Sequence, residues 1–242
     1  MASFQSPEYR GDGQVNSHVV AFPLLIYRGK FLRMSREGVS GLLFQSDLLK
    51  LDISGNAATP VDSLGTNRRR GMPDLDATVE IGPALDIILM KDREREREMG
   101  ITVTVRSAFT TDFRNLRHLG WTSNPYWYFV NEHVGLKKLR FSLSVGPVFA
   151  DRRYHQYYYR VKQAFATPQR QRYDASGGYS GIRSTVSLSK RFNRFWVGLF
   201  VRFDYIGGAV YDDSPLVEKK DFPITGIAFN YVLSKSSTLV DY

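Results

Sequence analysis

The chain has 242 residues, about a quarter of them charged, with a net charge of +9 and no cysteine. Disulfide frameworks, thiolate zinc clusters and thiol catalysis are excluded, and no run approaches the roughly 18–20 apolar residues of a spanning helix. A membrane barrel stays open, because its strands dilute apolar residues by half.

The chain opens Met-Ala-Ser-Phe-Gln, with neither a basic start nor an apolar core. Either the protein is cytosolic, or its export signal has been removed or lies upstream, and the second reading is favoured. His18–Arg28 is the first clear strand, and residues 2–8 supply an edge. Phe31–Phe44 is strand-like but interrupted by Ser35-Arg36-Glu37-Gly38, a tight turn. Leu49, Leu51 and Ile53 then alternate with Lys50, Asp52 and Ser54. Residues 57–75 form a loop holding Arg68, Arg69 and Arg70.

In Ala77–Leu89, Val79, Ile81, Leu85, Ile87 and Leu89 oppose Thr78, Glu80, Gly82 and Asp86. In Ile101–Phe109, Ile101, Val103 and Val105 oppose Thr102, Thr104 and Arg106. Tyr126–Val130 is an aromatic strand, and Leu139–Val145 sets Arg140, Ser142 and Ser144 against apolar neighbours. Ile182–Lys190, Phe195–Tyr205 and Ile224–Leu233 repeat the scheme. Phe195–Tyr205 is the clearest copy, with Val197, Leu199, Val201, Phe203 and Tyr205 on one face and Arg202 and Asp204 on the other. Successive strand side chains point to opposite faces. A soluble sandwich hides the apolar face; a membrane barrel turns it to lipid and keeps charge inside.

Helical periodicity is nearly absent. The charge run Lys91–Glu98 is the best helix candidate and equally suits an extended hairpin tip. Short connections (45–47, 91–99, 133–138, 193–194) alternate with longer ones (57–75, 112–121, 153–176, 207–222), the pattern of periplasmic turns and external loops. The sequence therefore predicts an all-β fold: one antiparallel transmembrane β-barrel over residues 1–242. It has about twelve strands, or ten if residues 31–44 are one strand and the start is disordered. Residues 1–17 read as partly disordered or a truncated first strand, and 236–242 as a tail.

The order and spacing of several segments resemble the MltA-interacting protein (MipA)/OmpV family of Gram-negative outer-membrane proteins. These are Ser6-Pro7-Glu8-Tyr9-Arg10-Gly11, Arg68 to Asp76 with Glu80-Ile81-Gly82-Pro83, Gly146-Pro147 with Tyr154 and Tyr157 to Val161, Arg202 to Ile206, Asp213 to Val217, and Gly226 to Leu233. Arg160 departs from the pattern, standing where Gly is common, and the chain runs on past the last strand to Tyr242. The resemblance implies outer-membrane localisation and a non-enzymatic scaffold for a murein lytic transglycosylase and a murein synthase. Docking would then use turns such as Lys91–Glu98 or Glu132–Lys138. The alternatives are an anion-favouring small-solute channel and a soluble lipocalin-like binder with an apolar cavity.

The charges expected on the lumen side are Glu80, Asp86, Arg106, Arg140, Arg183, Arg202 and Asp204. They either line a small pore or pair across the interior and plug it, since buried charges must be paired or hydrated. Arg68, Arg69 and Arg70 suit a lipopolysaccharide phosphate or an ordinary solvated loop. The same triplet lacks the interleaved aromatics of nucleic-acid readout, so lipid and lipopolysaccharide, not nucleic acid, are the expected partners. Tyr154, Tyr157, Tyr158, Tyr159 and Tyr173 read as an interfacial girdle, a loop-packing cluster or a sugar platform. Of the four histidines, His133 follows Glu132 but has no serine arranged beside it on the strand map. No histidine pair has metal-ligand spacing. No catalytic residue, metal or cofactor is expected.

Overall fold

A computed structural model describes residues 1–20, 33–35, 38–111, 116–135 and 139–231. The predicted strand segment 21–28, turn residues 36–37, turn residues 136–138 and the terminal stretch 232–242 lie outside the described residues.

Thirteen strands run through the described residues: β1 (Ala2–Pro7), β2 (Val15–Val20), β3 (Arg33–Ser35), β4 (Gly38–Gln45), β5 (Leu49–Ala58), β6 (Ala77–Asp92), β7 (Arg97–Thr111), β8 (Leu116–Ser123), β9 (Tyr126–Asn131), β10 (Leu139–Ala150), β11 (Gly178–Phe192), β12 (Phe195–Tyr205) and β13 (Asp221–Tyr231). One α-helix among the described residues, α1 (Arg152–Tyr159), interrupts the series. Every pairing is antiparallel, in the order β2-β1-β13-β12-β11-β10-β8-β7-β6-β5-β4-β3. β1 pairs with β13, so the first and last strands of the described chain are neighbours. The sheet curls until Phe4 of β1 and Asn56 of β5 line one cavity.

β8 and β9 together fill one place in that order. β8 pairs with residues 105–111 of β7 and β9 with residues 97–102, as one long strand broken at Asn124-Pro125. Proline offers no ladder donor. Across the break, Pro147 of β10 has the same defect, and the β10–β11 register shifts beside it. Asn124 repairs the gap: its Nδ2 donates to the Pro147 carbonyl at 2.7 Å. The sheet then has twelve places among the described residues. The predicted connection 112–121 is corrected accordingly, because Leu116–Ser123 is strand and only 112–115 separates it from β7.

The faces are as the alternation predicts. Leu199, Val201 and Phe203 are 51%, 49% and 43% exposed, whereas Asp204 between them and the ladder end is fully buried. Val79, Ile81, Ile101, Val103, Val105, Val186, Ile227 and Phe229 are likewise exposed, while Thr78, Glu80, Thr102 and Thr104 are buried. An apolar band therefore faces outward around the sheet, opposite to a lipocalin, whose apolar face lines its cavity. No helix among the described residues is long and apolar enough to cross a membrane, which does not bear on strands.

Connections sort by end. Residues 46–48, 93–96 and 193–194 make short turns at one end; 8–14, 59–76, 151–177 and 206–220 gather at the other. The predicted Lys91–Glu98 run is a hairpin tip, with Asp92 paired to Arg97. The main apolar core lies in the long connections: Tyr9, Val61, Leu75, Tyr159, Val161, Ile206, Tyr211 and Leu216 pack together and onto Phe222 and Ile224 of β13.

Candidate functional site

The strand alternation that puts leucine and valine outside sends the intervening polar side chains to a shared interior. Arg183 and Asp204 are ladder partners on β11 and β12. The guanidinium grips the carboxylate through two parallel bonds, Nε to Oδ1 at 2.9 Å and Nη2 to Oδ2 at 3.0 Å. Such forked pairs are the stronger kind of charged hydrogen bond. Two more cations crowd the same carboxylate: Arg10, just beyond β1, at 3.0 Å and Arg202 at 3.5 Å.

Across the interior, Glu80 accepts from Tyr154 Oη and from Thr122 Oγ1, each at 3.0 Å. Arg106 on the adjacent strand donates to Ser54 Oγ at 2.9 Å. Arg10, Glu80, Arg106, Arg183 and Arg202 all line one cavity of about 350 Å³, with Phe4, Phe200 and Ile224 among its apolar walls.

Asp86 stands apart, nearer the short turns. It accepts from Thr102 at 2.6 Å and faces Lys50 at 3.5 Å, and Lys50 also pairs with Asp52. Arg140 lies farther still toward that end, bonded to Glu132 at 2.8 Å and outside the cavity lining. Four of the seven predicted inner charges thus line the cavity, Asp204 anchors its arginine wall, and Asp86 and Arg140 belong elsewhere.

The arginine triplet does not act as one exposed patch. Arg69 is buried, and its donors go to the Tyr158 and Pro73 carbonyls and Ser63 Oγ. Arg68 pairs with Glu218 at 2.9 Å. The Arg68 side chain is still 42% exposed, and Arg70 is exposed as well. A loop guanidinium is as useful for tying carbonyls together as for meeting phosphate, and sequence does not separate these uses.

The tyrosine run is a loop-packing cluster. Asp151 caps α1 by accepting from Tyr154 N at 2.9 Å. The helix then projects tyrosines inward: Tyr158 Oη meets Thr78 Oγ1 at 3.1 Å, Tyr159 Oη donates to the Arg10 carbonyl at 2.8 Å, and Tyr159 stacks on Tyr211 at 3.8 Å. Burial, reinforced by Tyr158 and Glu80, pushes the Tyr154 phenol well above its ordinary range, so it stays a hydrogen-bond donor. His155 is buried and fully bonded. Its Nδ1 donates to the Ser176 carbonyl at 2.7 Å, and its Nε2 therefore accepts from Ser180 Oγ at 2.6 Å. Burial lowers its pKa below the ordinary histidine value, against the pull of the Ser176 hydrogen bond.

Sequence reasoning missed Arg10, α1 and His155. An Asp151 N-cap before aromatics spaced i and i+4 (Tyr154 with Tyr158, His155 with Tyr159) is the signal that marks the helix. His133, noted earlier, contacts Glu96 at 2.8 Å on the turn surface. No cluster of metal-ligating side chains occurs among the described residues.

Comparison with curated proteins and with solved structures returns no match. A family described as MltA-interacting protein MipA matches residues 1–233, nearly the whole chain. With that match laid over an all-antiparallel sheet whose apolar side faces out, the chain belongs to the MltA-interacting protein MipA family.

Proposed function

We propose that this chain is an outer-membrane β-barrel acting as a non-enzymatic scaffold, which holds a murein lytic transglycosylase and a murein synthase at the envelope. The carrying observation is the outward apolar band over a charged, paired interior, the arrangement a lipid-embedded barrel requires. The partner follows from the family description, which names an interaction with MltA.

The short-turn end offers the docking surface. Arg93 reaches Asp47, Glu96 reaches His133, and Arg140 reaches Glu132, so three successive turns carry linked charges of both signs. This mixed surface suits a soluble partner approaching from the periplasm. The long-connection end suits the outside, where lipopolysaccharide meets exposed side chains such as Arg70.

An anion channel is the weaker reading. α1 and the buried loop cluster stand across the interior at the long-connection end, and planar bilayers are expected to stay silent. The scaffold is tested by pull-down of a lytic transglycosylase with folded protein, scored by a heat-modifiable gel band. Replacing residues 93–96 by Asn-Gly keeps a two-residue hairpin between Asp92 and Arg97. Retained folding with recovery cut at least fivefold is expected; unchanged recovery rejects this docking surface.

A further inference from the structure

We infer that the cavity beside Asp204 is a binding site for a small organic anion, a carboxylate or phosphate monoester on a compact apolar body. The inference stands on the cavity itself and does not depend on the scaffold reading.

Charge is the first ground. The wall formed by Arg10, Arg183 and Arg202 carries three positive charges against Asp204 and against Glu8, which also lines the cavity, an excess of one. On the facing wall Glu80 and Arg106 cancel in charge, and Glu80 has both oxygens engaged. Nothing on that side neutralises the arginine wall.

Unspent donors are the second ground. Arg183 alone holds Asp204 with well-aligned bonds. Arg10 Nε and Nη2 and Arg202 Nε are buried without a hydrogen-bond partner, although both guanidiniums lie close to the carboxylate. Buried donors left unpaired are costly, and a guanidinium has five N–H groups and no acceptor. Only an acceptor satisfies them, and an anion also offsets the charge excess. Two adjacent forks favour the multiple oxygens of carboxylate or phosphate.

Size and lining are the third ground. About 350 Å³ lies at the small end of ligand pockets, and Phe4, Phe200, Phe222 and Ile224 supply apolar walls. The space suits a ring-sized body and is too small for a whole lipopolysaccharide headgroup.

Isothermal titration of the refolded full chain in a non-ionic maltoside tests this with phenyl phosphate, inorganic phosphate and benzyl alcohol as probes. Phenyl phosphate is expected to saturate one site at least tenfold more tightly than benzyl alcohol, with inorganic phosphate between them. Arg202→Gln and Arg10→Gln are each expected to weaken phenyl phosphate at least tenfold while keeping the heat-modifiable band. Arg194→Gln, at an exposed turn away from the cavity, should leave binding unchanged. Equal affinity for phenyl phosphate and benzyl alcohol in the unaltered protein overturns the inference without any variant. So does an undiminished affinity in either folded cavity variant, or an equal loss in Arg194→Gln.

Discussion

Asp204→Asn is the sharpest test of how the interior holds together. The side chain is fully buried and keeps nearly the same shape as asparagine, so the change removes charge rather than volume. Three guanidiniums surround it, one through a forked bond at 2.9 and 3.0 Å and two at 3.0 and 3.5 Å. A pair at about 4 Å attracts by about 4 kcal/mol at an effective dielectric of about 20. Desolvation offsets much of this, yet removing one partner of a buried pair costs about 3–5 kcal/mol, because the other charges stay buried and unpaired. The folded-to-unfolded ratio should fall more than a hundredfold, read from urea unfolding of protein refolded in micelles. Adding Arg202→Gln to Asp204→Asn should recover about 1–2 kcal/mol by relieving repulsion, a coupling that a double-mutant cycle measures. A loss below about 1 kcal/mol for Asp204→Asn, or strict additivity of the two changes, would refute the view that one carboxylate holds the arginine wall.

Val201→Arg, near the middle of the outward face of β12, should cost about 2–4 kcal/mol in lipid vesicles and far less in a detergent that solvates the charge; equal cost in both argues against lipid contact. Because burial depresses the His155 pKa, the unfolded chain takes up its proton first as pH falls. Stability contributed by the neutral imidazole is therefore full above about 6.5 and is lost below it, down through the lowered folded value. His155→Gln should flatten that slope in urea titrations between pH 7 and 5. Gly120 has φ +130°, and a Cβ there would lie 2.1 Å from Asp151 Oδ1. Gly120→Ala should displace the α1 cap, costing about 1–2 kcal/mol for the cap alone, and should show as faster proteolysis within residues 151–177 while the heat-modifiable band persists.

What sequence revealed of the fold follows from what alternation encodes. Where a strand is long and both neighbours are regular, as in Phe195–Tyr205, period two fixes which residues face which side, and Asp204 against Leu199 is legible from spacing alone. Leu116–Ser123 escaped because Leu-Arg-His-Leu-Gly-Trp does not alternate. Its strand conformation is supplied by pairing with Ser107–Thr111 of β7, and the Asn124-Pro125 break disguises its continuity with β9. The inner acids and arginines of β6, β7, β11 and β12 were readable for the same reason as the apolar band. Arg10 and the inward role of Tyr154 were not, since both come from connections whose folding depends on partners distant in sequence, Asp204 for Arg10 and Glu80 for Tyr154. Arg69 shows the same limit: composition marks it as a cation, and only three-dimensional packing shows that Tyr158 and Pro73 consume its donors.

The long connections share bonds that join distant parts of the chain. Tyr9 Oη donates to the Leu216 carbonyl across 207 residues, and Tyr159 Oη donates to the Arg10 carbonyl across 149. Contacts of such separation form late, because chain-closure entropy must be met before they reward it. Docking of the N-terminal segment on β13 should therefore be the slow event of folding. Until it occurs the arginine wall lacks Arg10, and an arrested intermediate would carry a finished midsection beneath an unsealed roof.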